Sequence, residues 1–290
     1  MTIDVARLKA WPFADVETTY TARDTMLYGL CVGAGRDPVD PVGLRFAYEP
    51  VLRALPTMAV VLGYPGSWMN DPASGIDYGK VVHGENALAI HRPLPPAGTV
   101  VGRTRVTRIV DKGAGKGAVV TAERIITDKA SGTRLATIEH VTFCRADGGF
   151  SASGAPADPP VPALPRVPQR PPDASDDLPT RGDLALLYRL LADRNPLHAD
   201  PAVARAAGFA RPILHGLASY GIAGLAIVRH ACDGDADRLR TLRVRFTAPV
   251  YPGETLRTEI WHEPGRVAFR MRAIERDAIV LDNGDAEVTG

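Results

Sequence analysis

The strongest constraint on the fold is that the chain repeats itself on either side of a proline-rich stretch. Nine prolines fall between Pro156 and Pro179. That is too many for a helix or an inner strand, so residues 151–180 read as a linker between an N-terminal domain, 1–150, and a C-terminal domain, 181–290. Thr21-Ala-Arg-Asp24 leading to Leu27-Tyr-Gly-Leu30 is echoed by Thr180-Arg-Gly-Asp183 leading to Leu187-Tyr-Arg-Leu190. In both, a threonine with an aspartate three places on predicts a capped helix start. Pro93-Leu-Pro-Pro-Ala-Gly98 is likewise echoed by Pro249-Val-Tyr-Pro-Gly253. After each comes a meander of strand-like segments broken by glycine turns. These are 99–111, 117–127 and 134–144 in the first half, and 254–262, 266–272 and 278–288 in the second. Val267, Phe269 and Met271 alternate with polar or small neighbours, the period of a strand with one buried face.

Residues 213–228 form the most apolar run, with Gly216, Ala218, Gly221, Ala223, Gly224 and Ala226 between larger side chains. A helix apolar on every side is buried on every side, and its small residues let a sheet close tightly on it. The expectation is an α+β double hotdog, each half an antiparallel sheet wrapped around a central α-helix. In the first half the corresponding run, 56–66, is shorter and ends in Gly63-Tyr-Pro-Gly66. That half is expected to leave room for a ligand. The 16 residues of 213–228 fall short of the roughly 20 that span a bilayer, so no membrane partner is expected. A net charge of +1 gives no reason to expect nucleic acid. Cys31, Cys144 and Cys232 are odd in number and far apart, against a disulfide scaffold or a zinc knuckle. The first twelve residues lack a secretory pattern and the last three are not a peroxisomal address, so the expected compartment is cytoplasmic.

Reactive side chains concentrate in Leu191-Ala-Asp-Arg-Asn-Pro-Leu-His-Ala-Asp-Pro201. Pro196 turns the chain out of helix geometry, so Asp193 and His198 are joined by a tight bend that can aim both at one point. Asp200-Pro201 reads as a cap and first position of a short helix ended by Gly208. Taken singly, each of these residues could be no more than a turn former. Together with His215 beside a buried helix start, they read as a site.

Asp193-Arg-Asn-Pro-Leu-His198, then Gly208-Phe209, then Pro212-Ile-Leu-His-Gly216 resembles the signature of the MaoC-like, hydratase 2 type R-specific enoyl-CoA hydratases. Leu44-Arg-Phe46, Leu55-Pro-Thr57, His83-Gly-Glu85 and His91-Arg-Pro93 are similar to the N-terminal domain of the two-domain members. Ala192 stands where the family usually has glycine. The resemblance implies reversible hydration of a trans-2-enoyl-CoA to a (3R)-3-hydroxyacyl-CoA, with no cofactor beyond the CoA of the substrate and a homodimeric assembly. Asp193 and His198 would hold and activate water, Asn195 would orient the water or Asp193, and the Gly216 N–H would bind the thioester oxygen. His215, Arg211 and Ser219 would contact substrate, with pairing to a neighbouring backbone group an alternative for His215 and surface solvation one for Arg211. Arg243 and Arg245 carry the same choice between CoA phosphates and solvent, while His83 and Glu85 read as structural. Where the second half has the catalytic motif, the first has Gly35-Arg-Asp-Pro-Val-Asp40, without histidine. The N-terminal half is therefore expected to accommodate the acyl chain and do no chemistry. The rivals are a hotdog thioesterase, a non-catalytic acyl-CoA-binding subunit and, more remotely, a metal hydrolase using His198 and Asp200.

Overall fold

Strand-forming segments with one apolar face pair side by side until both edges of that face are covered. The computed structural model describes residues 3–154 and 156–289. Among these it holds ten antiparallel strands in one sheet: β1 Val16–Tyr20, β2 Val81–Ile90, β3 Gly98–Asp111, β4 Ala118–Asp128, β5 Arg134–Cys144, β6 Ala174–Pro179, β7 Leu239–Phe246, β8 Thr255–Glu263, β9 Arg266–Ala273 and β10 Ala278–Val288. Their spatial order is β1-β3-β4-β5-β2-β7-β10-β9-β8-β6. Read from either edge inward, the order is the same once β6 to β10 are matched to β1 to β5. The repeat seen in the sequence is thus a two-fold repeat of the sheet, a double hotdog. β2 and β7 join the halves, with Glu85 opposite Arg245. These two form an ion pair at 2.6 Å, so Arg245 holds the seam.

Short helices lie between the strands: α1 Val5–Lys9, α2 Ala22–Cys31, α3 Pro41–Leu44, α4 Leu184–Tyr188, α5 Pro201–Ala206 and the long α6 Gly216–Ala231. Every residue of α6 from Ala218 to Val228 is buried. Its glycines allow close approach: a Cβ at Gly224 would lie 2.5 Å from Thr57 Cγ2, and one at Gly221 2.6 Å from the Tyr28 hydroxyl. In the first half the matching place holds only a six-residue 3-10 segment, Pro56–Val61, all of it buried. Tyr28 and Tyr188, which correspond in the repeat, meet with ring centroids 6.3 Å apart. No helix among the described residues is long and apolar enough to cross a membrane.

Three expectations need correction. The stretch 151–180 is connecting chain only in part, because its last residues form β6, which pairs with β8 at the sheet edge. An edge strand tolerates the prolines that an inner one would not. The central helix starts at Gly216, not 213, because the preceding residues are held extended, with Leu214 N–H donating to the Val250 carbonyl. Finally, Thr21 and Asp24 form their capping box, but Thr180 and Asp183 do not. The Thr180 hydroxyl donates to the Glu254 carbonyl instead, and Asp183 pairs with Arg181.

Candidate active site

The bend after α4 is built by its own side chains. Asn195 adopts the extended conformation that a following proline demands. Its Oδ1 accepts from Leu197 N–H at 3.0 Å, capping the 3-10 turn Pro196–His198. Its own N–H donates to Asp193 Oδ1 at 2.9 Å. Asn195 therefore orients Asp193 through its backbone, while its side chain shapes the turn. Asp200 caps α5 by accepting from Ala202 N–H, and Gly208 follows that helix with φ +88°, a left-handed position suited to glycine. Asp200 thus has a structural task that keeps it apart from the reactive pair.

His198 is 8% exposed. Its Nδ1 lies 2.9 Å from the Ile213 carbonyl. A carbonyl only accepts, so Nδ1 carries the hydrogen and Nε2 presents a lone pair. That lone pair faces Asp193 Oδ2 across 4.0 Å, too far for a direct hydrogen bond. Burial lowers the pKa of His198, opposed by its bond to Ile213 and by the charge of Asp193. The neutral ring is the form present at pH 7.

His215 directly precedes α6 and is 2% exposed. Its Nε2 donates to the Asp193 carbonyl at 3.0 Å, and its ring stacks on His198 with centroids 3.7 Å apart and 26° between planes. Burial, with His198 next, pushes its pKa down to about 3. This is the backbone-paired alternative for His215: it ties the Asp193 main chain to the helix start. Gly216 is the first residue of α6. Its N–H has no acceptor within the helix and points from the positive end of the helix dipole. A Cβ there would meet the Phe246 ring at 3.0 Å, so that ring borders the donor. Ser219, one turn on, is 2% exposed, and its Oγ has no hydrogen-bond partner among the described residues. Arg211 is not brought into this cluster: it is exposed, with its guanidinium 5.2 Å from the Tyr251 ring.

Two tyrosines near this cluster escaped the sequence reading. Tyr188 packs against His215 with centroids 5.1 Å apart. Tyr64, in the Gly63-Tyr-Pro-Gly66 turn, has its pKa pushed up to about 12 by burial and then by the charge of Asp193. It is thus a protonated phenol contributed by the N-terminal half. Only the interruption of an apolar run by Gly-Tyr-Pro-Gly marked its position.

Asp193, His198 and His215 offer potential ligand atoms within 4.8 Å of one another. An imidazole binds a metal in its ring plane at about 2.0–2.1 Å. The planes of these two stacked rings do not meet that close to both nitrogens, so the trio does not suit one ion.

Residues 164–283 match the family model described as MaoC like domain, and residues 18–146 match the MFE-2 hydratase 2 N-terminal domain. The chain belongs to the MaoC-like, hydratase 2 family. Among its relatives, 3-hydroxyacyl-thioester dehydratase Y of Mycobacterium tuberculosis is 42% identical, with 92% of each chain covered. The peroxisomal enoyl-CoA hydratase 2 of Arabidopsis thaliana is 37% identical over 94% of this chain and 92% of its own. The crystal structure of a MaoC-like dehydratase from Phytophthora capsici superposes with a TM-score of 0.86 at 34% identity, covering 99% of both chains. The MaoC-like match begins ahead of β6, in keeping with that strand belonging to the second half of the sheet.

Proposed function

We propose that this MaoC-like protein is a hydratase/dehydratase that adds water reversibly across the double bond of a trans-2-enoyl-CoA, giving a (3R)-3-hydroxyacyl-CoA. The observation that carries the reading is the pair of acceptors, Asp193 Oδ2 and His198 Nε2, 4.0 Å apart with neither bonded to the other. Water has two hydrogens. One water between these atoms donates to both, and its lone pair is then turned outward toward the substrate.

As the water oxygen bonds to C3, one of its protons passes to the pair. The π electrons move onto the thioester as an enolate, and C2 then takes that proton from the pair, which returns to its starting state. Negative charge on the thioester oxygen is met by the Gly216 N–H. Such a pre-aimed donor contributes roughly 10²–10³-fold in rate, and general acid–base help ~10²–10⁴-fold. Dehydration is the same path reversed. Relatives named 3-hydroxyacyl-thioester dehydratase and enoyl-CoA hydratase support the assignment. The reading includes no cofactor beyond the CoA of the substrate, a homodimer and a cytoplasmic setting. It also gives the N-terminal half the acyl chain and the C-terminal half the chemistry, with Ser219 beside the substrate.

The test follows crotonyl-CoA by loss of enoyl-thioester absorbance and, in parallel, by release of free thiol. Loss of absorbance without thiol is expected, with a product refused by an S-specific hydroxyacyl-CoA dehydrogenase. Thiol release would mean a thioesterase, and silence in both assays a binding protein.

A further inference from the structure

The inner face of the N-terminal half carries an unpaired buried cation. Arg124, on β4, is 7% exposed. Its Nη2 donates to the Val60 carbonyl at 2.6 Å, while its Nε is buried without a partner. Among the described residues no carboxylate forms an ion pair with it. Thr104 lies directly opposite on β3, and its Oγ1 is also buried and unpartnered. The Tyr64 ring covers the guanidinium at 5.7 Å. On β5, next to β4, His140 stacks on His83 with centroids 3.7 Å apart, and His83 Nε2 is a third buried atom without a partner.

Both histidines are neutral. Burial and then the Arg124 charge bring His140 down to about 4, and burial with His140 takes His83 well below its ordinary value. Arg124, lowered to about 10 by burial, keeps its charge at pH 7. This face thus holds one positive charge with no carboxylate partner among the described residues and three buried polar atoms without a hydrogen-bond partner. It also adjoins the proposed reaction site. His83 leans on Phe246 at 4.2 Å, and Phe246 is the ring that borders the Gly216 donor.

A plain hydrocarbon tail would leave these groups unsatisfied and worsen the desolvation of the charge. A carboxylate meets the arginine and the threonine, since its oxygens match the fork of an arginine and also accept from a hydroxyl. We infer that the N-terminal half receives an acyl chain ending in a carboxylate, bound by Arg124 with Thr104, so that the preferred substrates are monothioesters of unsaturated dicarboxylic acids. This rests on the proposed hydration reaction, whose own failure would show separately as no turnover of crotonyl-CoA.

The test compares trans-2-enoyl thioesters of increasing length, each made with a terminal carboxylate and with a terminal methyl. Each is offered both as the CoA ester and as the N-acetylcysteamine ester, which has no phosphates. For the wild-type protein, kcat/KM for the carboxylate-ended chain is expected to exceed that of its methyl partner by about tenfold to a hundredfold at one chain length, on both carriers. Arg124→Met should erase that preference and leave crotonyl-CoA turnover unchanged. Three results would overturn the inference: no preference at any length in the wild type, a preference seen with CoA esters alone, or an equal loss on every substrate in Arg124→Met. The second would mean that the preference depends on the CoA carrier and not on the chain end alone, and the third that Arg124 only braces Val60. Should Arg124→Met not fold, the wild-type comparison still decides. If crotonyl-CoA is not turned over at all, the same paired thioesters are compared by equilibrium binding, where equal affinities overturn the inference.

Discussion

His198 and His215 share a stack but have different tasks, and pH separates them. Burial depresses both. The unfolded chain takes up protons near the ordinary histidine value of about 6.5 while the folded chain does not, so stability falls as pH drops below that value. It is fully present above about pH 7. His215 should go on removing stability toward pH 3, by up to about 1.4 kcal/mol per pH unit. Urea unfolding at pH 7.5, 6 and 5 should show this decline, and His215→Gln, which keeps an N–H for the Asp193 carbonyl, should make it shallower by about one proton. An unchanged slope in that variant would remove His215 from the account. The closeness of Asp193 and His198, the proposed catalytic pair, was legible in the sequence because the two lie on one short bend. The Ile213 carbonyl that fixes the His198 tautomer was not, because it comes from a segment that reads as helix. Tyr64 and Arg124 were hidden too, since the contact of the Tyr64 ring with the Arg124 guanidinium joins residues far apart in the sequence.

Elements explain how the bend and the shortened core segment hold their shape. Asn195 Oδ1 caps the 3-10 turn that carries His198. Asn195→Ala is expected to cost about 1 kcal/mol of stability and to lower kcat as the turn loosens, whereas Asn195→Asp should retain the stability. Equal thermal midpoints for all three proteins would contradict the capping role. In the N-terminal half, Ala59 is fully buried in the 3-10 segment Pro56–Val61. The space for a ligand therefore does not lie at its side chain. Ala59→Trp should overpack the core, costing typically 1–3 kcal/mol, with crotonyl-CoA turnover at elevated temperature lost along with that of longer chains. A loss confined to long chains would instead place the acyl tail there. The short central run was visible in the sequence, but which of its residues face neighbours was not, because a six-residue apolar stretch has no periodicity to read.

At the scale of the molecule, the two halves share one sheet through β2 and β7. A fragment of residues 181–290 lacks β6 as well as β2, so β7 and β8 would both become bare edges and α6 would lose the Pro56–Val61 segment that packs against it. It is expected to be insoluble or inactive when expressed alone. A soluble fragment that hydrates crotonyl-CoA would show that the halves are independent. The sequence repeat was enough to expect two like halves. Their joint was harder to see. β2 carries Gly84-Glu85-Asn86 inside it, and β7 interleaves Arg240, Arg243 and Arg245 with its apolar residues, so neither looks like the middle of a ten-stranded sheet. Their polar side chains are there because Glu85 and Arg245 pair across the joint, a contact 160 residues apart in sequence.

The central claim is that Asp193 and His198 act on one water, and a double-mutant cycle on crotonyl-CoA hydration tests it most directly. Asp193→Asn and His198→Ala should each lower kcat by ~10²–10⁴-fold with unchanged circular dichroism. The double variant should be little worse than either single one, because removing one holder of a shared water already forfeits the other's contribution. Two losses that multiply in the double variant, or a tenth of wild-type rate surviving in either single variant, would contradict the account.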